Sequence, residues 1–215
     1  MKQKLLLLAL AGTLSCFAQK EIKAGIIAGA TYSKLNVIIP LDYKYAPNFM
    51  VGITAEKPVA NNLSIFANLN YERRTSTVKA PFAVYDEFGL VAVYPDNKIT
   101  QTISYLSIPV SARYYFGTQK RFCANLGLYA DVYLSDKAKS DHSVNHGGGT
   151  ISTSHGNFTT VTVGINPGVG YSIPLKNNTD ILIDLRYNIG LTDAVKNSDT
   201  TVNSFILAAN YRFNL

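Results

Sequence analysis

The sequence has no tryptophan, two cysteines among 215 residues, and charged side chains at only 16% of positions. An ordinary soluble domain carries roughly 25% charge, so this chain has unusually little with which to cover itself in water. It also lacks a second long apolar run. The one from Leu5 to Leu14 falls short of the ~20 residues that cross a bilayer as a helix, which excludes a helical membrane protein. The formal net charge of +6 is mild and its bases are scattered, so a nucleic-acid-binding stripe is excluded. What is present in quantity is aromatic: 14 Tyr and 10 Phe, which exclude disorder. The length suits one domain.

The first residues read as a targeting segment. Lys2 and Lys4 precede the apolar run, and Ser15-Cys16-Phe17-Ala18 offers a small residue for cleavage after Ala18 or Gln19. Residues 1–18 are therefore expected to be a removed signal peptide and 19–215 the mature, exported domain. Lipidation at Cys16 is the lesser alternative, because Thr13 stands where such a site prefers Leu. Cleavage lowers the charge to +4 and leaves Cys123 alone, with no intramolecular disulfide and no cysteine zinc site.

Alternation is the central pattern. Ile181, Ile183, Leu185, Tyr187, Ile189 and Leu191 interleave with Leu182, Asp184, Arg186, Asn188 and Gly190, the period of a two-faced strand. The same period runs through Phe205–Leu215, Val161–Ile173, Phe122–Leu134, Leu106–Phe116, Leu63–Tyr71 and Phe49–Ala55. Ala24–Leu35 is an eighth strand whose Gly and Ala leave its faces unassigned. Every ionisable group in the seven assigned strands falls on the polar face: Glu56, Glu72, Arg113, Asp131, Asp184, Arg186 and Arg212, with Arg74 next in line.

Face separation alone also suits a soluble sandwich. Length and connections decide. These strands reach about ten residues, as tilted membrane strands require, against about five or six in soluble sheets. Connections alternate between long (36–48, 76–98, 136–157, 193–200) and tight (57–62, 117–121, 174–179). The pattern predicts an all-β fold, an eight-stranded antiparallel up-and-down transmembrane β-barrel with short periplasmic turns and long extracellular loops. Outward rings would form belts, one from Tyr114, Phe116, Phe122, Tyr171, Tyr211 and Phe213, the other from Tyr71, Tyr187 and Phe205.

Particular stretches carry a resemblance. Lys23-Ala24-Gly25-Ile26, the segment Tyr105–Val110 leading into Arg113–Phe116, Leu185–Leu191 and the ending Asn210-Tyr211-Arg212-Phe213 resemble the small porin-like, PorT-like outer-membrane β-barrels of Bacteroidota. In architecture these are similar to OmpX and the OmpA barrel. The resemblance implies an integral outer-membrane location, contact with outer-membrane lipid, assembly by the barrel-assembly machinery through the C-terminal strand, and a monomer. Leu215, two residues after Phe213, departs from the usual aromatic end.

Eight strands enclose room only for side chains or one small ligand. Arg113, Arg186 and Arg212 are expected to pair with Glu72, Asp131 and Asp184, because an unpaired charge in a narrow lumen is costly. Function then moves to the loops, where Tyr85, Phe88 and Tyr94 are candidate contact residues for a surface partner. No enzyme activity, cofactor, metal site or nucleic-acid partner is expected. The rivals are a narrow channel, an envelope-lipid-modifying enzyme using His155, Ser154 and Asp131 or Asp136, and a soluble lipocalin-like binder. His142 and His146 sit beside Gly147–Gly149, a stretch unsuited to a helical metal site. Gly164, Gly168 and Gly170 read as space for facing arginines or as strand bends.

Overall fold

The computed structural model describes residues 22–37, 42–86, 89–141, 149–151 and 158–215, with side chains at 82–96 and 149–151 outside the description. Ten strands follow in order: β1 (Lys23–Val37), β2 (Lys44–Pro58), β3 (Leu63–Asp86), β4 (Gly89–Phe116), β5 (Phe122–Ser140), β6 (Gly149–Ile151), β7 (Val161–Ile165), β8 (Gly168–Pro174), β9 (Thr179–Gly190) and β10 (Thr200–Asn214). All pairings are antiparallel, and β10 pairs with both β9 and β1, so the sheet closes into a ring. Closure leaves no edge, which is what hydrocarbon demands of a spanning sheet.

The ring has eight staves. β7 and β8 are two halves of one, interrupted at Asn166-Pro167, where proline has no N–H to give the ladder. Register does not slip across the break: Ile165 and Gly168 face Leu128 and Asn125 on β5, and Ile189 and Arg186 on β9. β6 is a short addition beside the outer end of β5.

Stagger follows from the register. A line leaves β4 at Phe116 and passes through Phe122, Tyr171, Ile183, Ala209, Ala28, Val51 and Tyr71. It re-enters β4 at Leu106, ten residues from its start. Such a stagger tilts the strands by about 40°. Every residue on the line points outward.

The outer surface is the apolar face predicted above. Leu126 and Leu128 are 62% and 64% exposed, and Ile26, Val51, Ile53, Val110, Val169, Leu185 and Leu207 are exposed with them. Inward positions are buried, and they include all eight charges singled out in the sequence. β1 resolves in the same way, with Ile27, Thr31, Ser33 and Leu35 inside and Ile26 and Tyr32 outside. The aromatic belts are in place. Phe122 meets Tyr171 at 4.8 Å near the short turns, and Tyr187, Phe205 and Tyr45 meet in sequence at 4.4 and 5.8 Å near the other end, joined by Tyr32.

Strands outrun the sequence expectation on the extracellular side. The expected loop 76–98 is largely a hairpin, paired from Tyr71 and Leu106 out to Asp86 and Gly89. β2, β5 and β6 extend the same wall. Tyr85 and Tyr94 therefore belong to β3 and β4 rather than to a loop, while Phe88 lies outside the described residues. Beyond the membrane both faces of a strand meet water, so the apolar–polar alternation that marks a half-buried strand fades there.

Candidate functional site

The lumen gathers the chain's buried polar chemistry into two clusters. The first lies toward the periplasmic end. Arg113 on β4 donates to Glu56 on β2 at 2.5 Å and to Asp184 on β9 at 2.9 Å. Arg212 on β10 donates to the same Glu56 at 2.6 Å and grips Asp180 at 2.6 and 2.9 Å. Tyr115 donates to the other Glu56 oxygen at 2.6 Å, and Lys23 reaches Asp180 at 2.7 Å. The Phe66 ring centroid lies 4.0 Å from the Arg113 guanidinium carbon. One carboxylate thus serves two arginines and a phenol, the kind of charge-assisted network that a dry interior requires.

The second cluster lies higher. Arg74 on β3 meets Glu72 and Asp131, each at 2.7 Å, and its guanidinium faces the Tyr105 and Tyr129 rings at 5.1 and 5.4 Å. Ser204 donates to Glu72 at 3.4 Å. Between the clusters Arg186 lies 3.5 Å from Asp184, with its Nε and one terminal nitrogen unbonded. With its amide turned to suit its neighbours, Asn68 accepts from Arg186 at 3.1 Å.

All eight charges singled out in the sequence line the lumen, and of the expected pairs Arg113 and Arg186 do meet Asp184, at 2.9 and 3.5 Å, while the others differ. Arg113 and Arg212 turn to Glu56, and Arg74 rather than another arginine takes Glu72 and Asp131. Asp180, Lys23 and Tyr115 were not singled out. Asp180 was legible one step beyond Leu182 on the inward parity of β9, whereas Lys23 sits on the strand whose faces the sequence left open.

Glycines make the room. A Cβ on Gly168 would lie 2.7 Å from the Arg186 side chain, as the spacing suggested, whereas a Cβ on Gly164 would run into the Tyr129 ring instead.

An apolar cap covers the extracellular end of the lumen. Leu35, Ile103, Tyr105, Ala194 and Val202 pack together, with Val37, Tyr43, Tyr133 and Phe158 against them. Burial here pushes the Tyr43 hydroxyl above its ordinary value. Ala194 and Phe158 come from connections that the sequence left as loops. They are held by Thr159 N–H donating to the Ala194 carbonyl at 3.0 Å and by stacking of Phe158 on Tyr133 at 5.2 Å. At the periplasmic end a cavity of about 330 Å³ opens among Lys23, Glu56, Tyr115, Lys120, Arg121 and Arg212.

Of the hydrolytic arrangement, only the acids lie among the described residues. Asp131 is fully buried against Arg74 rather than at the rim, and Asp136 accepts from Gln101 at 3.1 Å and Tyr133 at 2.6 Å. His142, His146, Ser154 and His155 lie outside the described residues. Among the described residues no group of His, Cys, Asp and Glu is placed to hold a metal.

Residues 17–196 match the family described as outer membrane protein beta-barrel domain. Among solved structures, the outer membrane protein AlkL, studied in DMPC bilayers, is 15% identical over 93% of this chain and 92% of its own, with a TM-score of 0.51. OprG from Pseudomonas aeruginosa is 12% identical over 91% and 98%, TM-score 0.47, and Neisserial surface protein A 22% identical over 89% and 97%, TM-score 0.42. No curated protein matches the sequence. Closed ring, lipid-facing apolar surface, charged interior and family match agree: the chain belongs to the outer membrane protein beta-barrel domain family and is an integral protein of the outer membrane.

Proposed function

We propose that this protein is a closed, non-conducting barrel that works as a surface-interaction module through its extracellular sheet. The observation that carries the reading is the filled lumen. Arg74, Arg113, Arg186 and Arg212 are each buried and lie against lumen carboxylates, and an apolar cap covers them. A conducting pore needs a continuous wet path, and a lattice of side-chain ion pairs offers water and ions little room. The wall built from β2–β6 projects on one side and is the larger extracellular structure available for contact.

The finer family reading is a PorT-like barrel of Bacteroidota, exported behind residues 1–18, folded by the barrel-assembly machinery through β10, monomeric, and without catalytic activity. Supporting the monomer, outward apolar residues are spread over all eight staves, as lipid contact on every side requires.

Planar-bilayer recording tests the closed state. The refolded mature protein should show no stepwise conductance at any voltage that the bilayer tolerates. Regular unitary steps from the unmodified protein would replace this reading with that of a narrow channel.

A further inference from the structure

The cavity at the periplasmic end stops on the ion pair of Glu56 and Arg212, and its walls come from the turns that follow β2 and β4 and from the end of β8. Its volume of about 330 Å³ lies at the small end of the roughly 300–1,000 Å³ of ligand pockets. Charge inside it does not balance. Glu56 is already held by Arg113 and Arg212, and Asp180 by Arg212 and Lys23. Lys120 and Arg121 are left in excess. The Lys120 ammonium donates to the Asn61 carbonyl, a neutral acceptor, and so ties the β4–β5 turn to the β2–β3 turn. The Arg121 guanidinium lines the cavity with no partner among the described residues. Residues 59–62, 117–121 and 175–178 include no acid, and the C-terminal Leu215 does not line the cavity.

Open hydrogen-bonding groups lie beside these cations. Ser64 is only 4% exposed, yet it lines the cavity and its hydroxyl has no partner among the described residues. A buried hydroxyl in that state has given up water without a replacement, unless something in the cavity supplies one. The side-chain amides of Asn61 and Gln119 also line the cavity without partners among the described residues. Pro58, Pro174 and Tyr115 add apolar surface to the wall. Excess positive charge, amide and hydroxyl groups, and small apolar surfaces together complement a short peptide, which offers a terminal carboxylate, peptide N–H and C=O groups, and small side chains.

We propose that this cavity binds short peptides from the periplasm by their C-terminal carboxylate, with Arg121 and Lys120 taking the carboxylate and Ser64, Asn61 and Gln119 pairing with the peptide groups. A planar guanidinium can hold both carboxylate oxygens, and partial enclosure strengthens that pair relative to one in open water. The ion-paired floor stops the peptide at the mouth of the lumen, so binding needs no pore.

The test is a ligand-observed NMR titration of the mature barrel in non-ionic detergent, with N-acetyl-Ala-Ala as the probe. The free acid should bind about tenfold more tightly than its C-terminal amide. Arg121→Gln and Lys120→Gln, at exposed turn positions and shown to be folded by heat-modifiable gel migration, should each weaken binding about tenfold, and Ser64→Ala about fivefold. Lys176→Gln makes the same change of charge on the turn after β8 but outside the cavity, and should leave the affinity unchanged. No binding, equal binding of acid and amide, or undiminished binding by folded Arg121→Gln would overturn the proposal. An equal loss in Lys176→Gln would do so too, by assigning the attraction to the general charge of that end of the barrel. Competition by acetate at the same concentration as the peptide would reduce the site to one for any anion and overturn the peptide assignment. Conductance plays no part in the readout, so the closed-barrel reading stands or falls separately.

Discussion

Arg212 and Glu56 meet at 2.6 Å although their strands, β10 and β2, are not neighbours in the sheet; β1 runs between them. The contact spans the lumen rather than the wall, and it ties the last strand to the second. Glu56 also holds Arg113 and Tyr115, so this one carboxylate anchors side chains from two other strands.

Removing that carboxylate should cost more than removing Arg186. Glu56→Gln removes the anion that Arg113 and Arg212 share and leaves each with one carboxylate, Asp184 and Asp180, so the cost should fall near the lower end of the about 3–5 kcal/mol of a broken buried pair. Equilibrium urea unfolding in lipid vesicles should show the lower midpoint. An unchanged midpoint would mean that water reaches the cluster.

Arg186→Met should behave in the opposite way. Asp184 keeps its Arg113 contact at 2.9 Å, while Arg186 already has unbonded nitrogens. Exchanging an under-satisfied buried cation for an apolar chain of similar reach is expected to change stability by less than about 1 kcal/mol, or to raise it. The same unfolding assay decides, and a loss comparable to that of Glu56→Gln would count against the assignment.

Leu128→Arg and Leu185→Arg test the lipid-facing surface. Both side chains are exposed on the outward face in the central part of their strands. A cation there should cost about 2–4 kcal/mol near the midplane. A substitution without penalty in vesicles would place that face in water.

Gly164→Val tests the packing of the lumen wall. Its side chain would collide with the Tyr129 ring, which itself faces Arg74. Overpacking of this sort costs about 1–3 kcal/mol, and slower refolding or a lowered unfolding midpoint should report it.

Shortening the β3–β4 hairpin separates fold from display. Joining Thr77 to Thr100, which face each other in the ladder, removes the projecting part and leaves the eight-stave ring. The shortened protein should retain heat-modifiable migration while losing whatever surface partner the full chain captures. Loss of the folded band would show instead that the projection supports the barrel.

Much of this architecture was legible in the residues. The alternation in Thr179–Gly190 and Thr200–Asn214 assigned each side chain to lipid or lumen, because neighbouring residues on a strand must point to opposite faces. Even Ile206 and Ala208, apolar residues on the polar parity, proved to be buried in the lumen as their positions require. The hairpin beyond Tyr71 was not legible, since water on both sides leaves no contrast to read. The faces of β1 were obscured for a different reason, because glycine and alanine differ too little in polarity to mark an inside.

The sequence by itself determined the closed sheet, the lipid-facing surface and the set of charges turned inward, because all three depend on a local period of two. Only the tertiary structure decided which charge meets which, through the ten-residue stagger that brings Glu56, Arg113, Asp180 and Arg212 together from four staves. It also decided that Ala194 and Phe158 fold over the mouth of the lumen. Pairing across a lumen depends on tilt and register summed around the whole ring, and no single strand carries that information.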